Sequence, residues 1–301
     1  MRKGEWPLVI FTLLVQMAVG LFILLTTFRS VMPASTATYN FDNLHSTVYW
    51  IITLLLIIGV FAGAFHLNRP TNARLSMANW KESWLSREVI LGLIFGSIVL
   101  TLSLGSRMEI RSAFVRNLLP IIGSIVAIAL LYAISRIYML RTVLTWDNIA
   151  VPLSFFTTSL LLGSILFSIL MAIQGPSLVT SDPQTTTVSK LLEGISTGSL
   201  VLIFIQILLS YVMFRGFRAH VRLMDHSLET LWAKYRLFFM SRLGLGLIGI
   251  ALYVNSMDQF ISHIHSEGPW AILLFGPFLL IFLSEASGRI LFYASYKSVG
   301  I

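Results

Sequence analysis

Eight long runs of apolar residues, joined by short polar connections, take up most of this chain: Pro7–Phe28, Thr47–Leu67, Val89–Ser106, Leu118–Leu140, Ile149–Ile173, Ile195–Phe214, Leu237–Val254 and Trp270–Phe292. About 20 apolar residues are what an α-helix needs to cross the hydrocarbon of a bilayer. The runs are continuously apolar and lack the alternation of a barrel strand, and in lipid a helix satisfies its backbone groups within the segment. The predicted fold is an all-α integral membrane protein, an eight-transmembrane-helix bundle forming a single polytopic domain over residues 1–301. A soluble globule is excluded, because 11% charged residues beside 56% hydrophobic ones cannot cover a surface for which about 25% charge is usual. The first run follows a short basic start (Arg2, Lys3), as a signal peptide does. Its 22 residues exceed the roughly 7–15 of such a segment, which predicts a retained span.

With an even number of spans, both termini lie on one face of the membrane, here termed the first face. Its loops carry 13 Lys and Arg: Arg2, Lys3, Arg69, Arg74, Lys81, Arg87, Arg141, Arg215, Arg218, Arg222, Lys234, Arg236 and Lys297. The opposite face has five (Arg29, Arg107, Arg111, Arg116, Lys190). By the positive-inside rule the first face is cytoplasmic. In a soluble protein the net charge of +8 would suggest nucleic acid; basic loops beside membrane spans instead orient the chain and meet anionic lipid, so no nucleic-acid partner is expected. In the loop Asn68–Arg87, the residues Met77, Trp80 and Trp84 recur at helical spacing beside Arg74 and Lys81, the pattern of an interfacial helix. The Thr-rich stretch Ser181–Ser189 reads as an exposed loop.

Ionisable side chains inside spans are costly to bury and so are functional candidates: His66, Glu88, Arg136, Arg242, Glu285 and Arg289. With a rise of about 1.5 Å per residue, all six fall in the half of the membrane nearer the first face. Each also has a structural reading. Arg136 and Arg242 are placed to snorkel to the surface. Glu285 and Arg289 stand four apart with the acid first, the favourable order for an intrahelical pair. Glu88 suits a helix N-terminus, and His66 at a helix end suits a local hydrogen bond. His66 and Glu88 nevertheless bracket one loop, on adjacent helices and at one depth. Histidine exchanges protons near neutral pH and a carboxylate relays them, which fits the proton half of quinol oxidation.

The electron half needs a redox centre. The chain has no cysteine, so it holds no iron–sulfur cluster, thiolate metal site or disulfide. His45, His220, His226, His263 and His265 lie in loops or at loop borders, so no haem and no other metal is expected. Any electron acceptor belongs to a partner.

Several patches then point to a known family. They are Glu5-Trp6-Pro7-Leu8, His66-Leu67 with Pro70 and Ala73, Ser83-Trp84-Leu85-Ser86-Arg87-Glu88, Leu144-Thr145-Trp146 with Pro152 and Phe155-Phe156, and Glu285 to Tyr293. In this order and spacing the protein resembles the membrane anchor subunit of dimethyl sulfoxide reductase, with about a quarter of the residues carrying the likeness directly. The resemblance implies a multi-pass protein of the bacterial inner membrane that binds and oxidises menaquinol without haem. It implies two partners, a four-cluster ferredoxin-like iron–sulfur subunit and a molybdopterin catalytic subunit. It carries a central quinol-site role to His66 and a lesser one to Glu88; Arg136, Arg242, Glu285 and Arg289 would shape the polar end of the pocket. Asn68-Arg69 and the basic stretch Arg215–Arg236 depart from the family pattern and leave the terminal acceptor open. Exported catalytic subunits, common in this family, would make the first face periplasmic, against the loop charges. Basic loops that dock an acidic subunit, or catalytic subunits kept in the cytoplasm, would each reconcile the two. Two other classes stay in play. A secondary transporter would place its site near the midplane between repeated, broken helices, and no internal repeat is visible in the sequence. A purely structural anchor would have no quinone site.

Overall fold

A computed structural model describes residues 6–32, 39–65, 79–108, 110, 112–140, 143, 146–178, 182–221, 227–266 and 268–294, with side chains for all of these but 39–40, 175–178, 182–185, 214–221 and 227–235. Eight helices are long and apolar enough to cross a membrane: α1 (Trp6–Val31), α2 (Tyr39–Ala64), α3 (Trp84–Arg107), α4 (Leu119–Ile137), α5 (Ala150–Leu178), α6 (Asp182–Val221), α7 (Ser227–Ser262) and α8 (Trp270–Ala294). The eight-span all-α fold expected from the apolar runs is the fold observed.

The helices pack as two rings of four. In the first, α1 meets α2, α2 meets α3, α3 meets α4 and α4 returns to α1; in the second, α5, α6, α7 and α8 close in the same way. The rings join mainly where α1 lies against α5, and these are the two most buried spans. Helix n of the first ring thus corresponds to helix n+4 of the second, a repeat that the sequence does not display. Ring packing depends on small and apolar residues in general, and many sequences satisfy it. Glycines make the seam. A Cβ at Gly163 would land on the backbone of Gly20 and Leu21, and one at Gly20 on the carbonyl of Ser159. Small residues let membrane helices approach this closely, and hydroxyls tie them together. Ser159 donates to the Gln16 carbonyl oxygen at 2.7 Å, Ser164 and Ser199 pair at 2.7 Å, and Ser168 pairs with the Tyr253 hydroxyl at 2.7 Å.

Several local expectations change. α3 starts at Trp84, with the Ser83 side chain accepting from the Ser86 amide at 3.4 Å, so Trp84 opens a span and is not part of a separate interfacial helix. Residues 79–82 form turns held by Arg87, whose Nε donates to the Trp80 carbonyl at 2.9 Å; Met77 and Arg74 lie outside the described residues. The stretch 182–189 is not a loop but the start of α6, and Val188 is fully buried. Asp182-Pro183 is a helix-opening pair, with proline where its missing N–H costs nothing. Most of the supposed loop Arg215–Arg236 is likewise helical: α6 is 40 residues long and α7 is 36. At about 1.5 Å per residue, both outrun a hydrocarbon layer of about 30 Å. A π-helical turn, Phe114–Leu118, precedes α4, a feature that apolar periodicity does not reveal.

Candidate functional site

A polar centre forms inside the second ring, toward its first-face end. Glu285 of α8 is 1% exposed, and its Oε2 accepts from Thr158 of α5 at 2.7 Å and from Gln206 Nε2 of α6 at 2.9 Å. The same Gln206 nitrogen lies 2.9 Å from Thr158 Oγ1 and 3.0 Å from Ser154 Oγ. Arg242 of α7 completes the group, its Nη2 3.9 Å from Glu285 Oε2. All four helices of the ring therefore contribute to one carboxylate. At 3.9 Å the guanidinium is a neutralising charge, while the shorter bonds from Thr158 and Gln206 set the carboxylate's position. Arg242 lies across the bare Cα of Gly288, where any side chain would collide with it, and Ser284 donates to the Arg242 carbonyl at 2.7 Å.

The intrahelical Glu285–Arg289 pair expected from spacing does not form. Glu285's ion-pair partner among the described residues is Arg242, and the Arg289 guanidinium stacks on Phe155, 3.6 Å from the ring centroid. The i,i+4 rule describes helices in water. Here the carboxylate is drawn sideways by hydroxyl and amide donors, and a planar, weakly hydrated guanidinium finds an aromatic face. Arg289 is 4% exposed, so a full positive charge is buried against a ring.

An aromatic cluster extends from Arg289 into the first ring. Phe155, Phe292, Trp146 and Tyr138 pack together, Trp146 stacking on Phe292 at 4.9 Å. Trp146 Nε1 donates to the Phe292 carbonyl at 3.1 Å, and the Tyr293 hydroxyl bonds to that of Tyr138 at 2.9 Å. Glu88 lies near enough to interact electrostatically with both tyrosines. It sits past the first turn of α3, which holds no acid, so it does not act as the dipole-capping residue its position in the sequence suggested. Arg136 points elsewhere. Its guanidinium lies over Trp84 at 5.3 Å, with Arg87 also over that ring at 4.2 Å.

Of the six residues singled out by sequence, the structure joins Arg242 to Glu285 directly and brings Arg289 and Glu88 to the same end through the aromatic cluster. Arg136 stands on the flank, and His66 lies outside the described residues. Sequence reasoning missed Thr158, Gln206, Tyr138 and Tyr293. Gln206 carried a signal, as an amide within an otherwise apolar run; Gln16, fully buried in α1, carries the same one. Several buried atoms here have no hydrogen-bond partner among the described residues: Glu285 Oε1, Gln206 Oε1, Arg289 Nη2 and Arg136 Nε. Buried polar atoms are normally paired, so acceptors and a donor left open side by side are what a polar ligand would fill. Among the described residues, no group of three or more metal-type side chains gathers.

The family model of the DMSO reductase anchor subunit (DmsC) matches residues 1–295. The protein is 25% identical over 298 residues to its counterpart in the anaerobic dimethyl sulfoxide reductase of Haemophilus influenzae, covering 99% of the present sequence and 96% of that relative. It is 26% identical over 298 residues to YnfH, an anaerobic dimethyl sulfoxide reductase chain of Escherichia coli, with the same coverage of 99% and 96%. A sulfite dehydrogenase subunit of Allochromatium vinosum is 27% identical over 189 residues, 58% of the present sequence and 57% of that relative. A match that runs through all eight spans and both rings carries the conclusion: this multi-pass membrane protein belongs to the dimethyl sulfoxide reductase anchor subunit family.

Proposed function

We propose that the protein oxidises menaquinol in a bacterial inner membrane and passes the electrons to a four-cluster ferredoxin-like subunit, which feeds a molybdopterin catalytic subunit. The observation that carries this reading is the convergence, at one end of the bundle, of buried ionisable side chains with unpaired polar atoms. A quinol presents two hydroxyl donors, and Glu285 Oε1 and Gln206 Oε1 are buried acceptors without partners among the described residues. Arg289 Nη2 is a donor in the same condition, suited to the oxygen that gains negative charge as a proton leaves. Oxidation of one quinol to quinone releases two protons and two electrons. The protons go to His66 and onward through Glu88; the electrons leave to the partner's iron–sulfur centre, since this chain has no cysteine to hold one. Arg242 and Arg136 keep the end of the pocket cationic. The terminal acceptor is a property of the catalytic partner.

His66→Arg in the assembled complex is expected to abolish quinol-dependent reduction while leaving dye-linked activity of the soluble subunits intact; normal quinol turnover would remove His66 from the site. Gly288→Ala tests the other side of the pocket. The added methyl meets only the guanidinium end of Arg242, so thermal unfolding should change by less than about 1 kcal/mol. Quinol turnover should nonetheless drop several-fold as the guanidinium leaves Glu285, and unchanged turnover would show that Arg242 plays no part.

A further inference from the structure

On the opposite face, the first ring holds a cavity of about 360 Å³ that the quinol chemistry does not use. It lies among the end of α1, the start of α2, the end of α3 and the turn before α4, and is lined by Arg29, Asp42, His45, Tyr49, Arg107 and Arg116. Its size falls in the range of small-molecule sites, about 300–1,000 Å³. These helix ends place it at headgroup depth, and Leu102 and Val115 give it an apolar side.

Three arginines and one carboxylate line the space. Arg116 and Asp42 neutralise one another at 2.9 Å, leaving Arg29 and Arg107 as uncompensated cations among the lining residues. The Tyr49 hydroxyl lies beside Arg29. Arg116 is carried on the π-helical turn, a local widening that recurs at functional sites. His45 supplies the most specific feature. It is 8% exposed, and its Nδ1 is 2.6 Å from the Phe41 carbonyl. A carbonyl only accepts, so Nδ1 carries the hydrogen and the neutral ring turns a lone pair outward at Nε2. That Nε2 is buried and has no partner among the described residues. The cavity therefore calls for negative charge in one place and a hydroxyl donor in another.

We propose that this cavity binds the headgroup of an anionic phospholipid bearing a free hydroxyl, of the phosphatidylglycerol type. The phosphate faces Arg29, Arg107 and Arg116, and a headgroup hydroxyl donates to His45 Nε2. Zwitterionic phosphatidylethanolamine brings its own cation among the arginines and is disfavoured. An anionic lipid without a headgroup hydroxyl satisfies the arginines but leaves His45 unpaired.

Native mass spectrometry of the full-length protein in detergent, offered equimolar lipids, tests each part. The wild type is expected to retain one phosphatidylglycerol at least about tenfold in preference to phosphatidylethanolamine, and several-fold in preference to phosphatidylmethanol, which lacks the hydroxyl. Excess inorganic phosphate should displace neither. The double variant Arg29→Gln/Arg107→Gln should lose the preference over phosphatidylethanolamine. Should that variant fail to fold, His45→Phe should abolish the preference over phosphatidylmethanol, and the wild-type comparisons stand without either variant. No selectivity in the wild type would overturn the proposal. Displacement by inorganic phosphate would overturn the lipid assignment in favour of a free anion, and equal retention of the glycerol and methanol lipids would overturn the role of His45.

Discussion

Gly163→Leu is expected to prevent accumulation of folded protein in the membrane, the largest effect of any single substitution in the bundle. A Cβ at this position already meets the backbone of Gly20 and the Leu21 nitrogen, and Gly20 in turn faces the Ser159 carbonyl. Backbone cannot rotate away as a side chain can, so α1 and α5 would have to separate along the seam that joins the rings. Overpacking of a core that can adjust costs about 1–3 kcal/mol; this crossing has no side chain to move and should exceed that range. Alanine at Gly163 should bring a smaller loss, at the upper end of it. Membrane yield and the midpoint of thermal unfolding read both, and a leucine variant with the wild-type midpoint would show that the two helices do not cross here.

Glu285→Leu is the second large effect. Removing the carboxylate strands Arg242, whose side chain is 11% exposed, and takes an acceptor from Thr158 and Gln206. Breaking a buried ion pair by deleting one partner typically costs about 3–5 kcal/mol, and replacing both by apolar residues recovers much of it. The double variant Glu285→Leu/Arg242→Leu should accordingly unfold near the wild-type temperature. Quinol-dependent turnover should remain lost in both. If turnover returns with stability in the double variant, the network is structural and quinol binds elsewhere. Glu285→Gln, which keeps the acceptor oxygen and drops the charge, should fold and lose turnover to a smaller extent.

The fold could be read in the sequence because the bilayer imposes length and apolarity on every span, and all eight runs carry that mark. Their ends were harder to read. Asp182-Pro183 starts a helix that a Thr-rich composition disguises, and α7 runs well before Leu237 because a polar helix beyond the membrane has no apolar signature. The site was legible where burial is expensive, at Glu285, Arg242 and Arg289. Thr158, Gln206 and the Tyr138–Tyr293 pair were not, since hydroxyls and amides are common in apolar spans and only the packing of α5, α6 and α8 makes these converge. The pairing of Glu285 with Arg242 across helices, in place of Arg289 along one helix, is decided by those same neighbours.

The ring-for-ring correspondence has a consequence for how such a protein diversifies. α4 and α8 hold equivalent places, yet α8 carries Glu285 and Arg289 where α4 carries Arg136 alone. A doubled four-helix unit joined through glycine backbone has two chambers whose linings can drift apart without disturbing the shared wall. One chamber opens its polar residues toward the first face and the other toward the opposite one, so duplication followed by independent change would let a single scaffold specialise its halves for different guests.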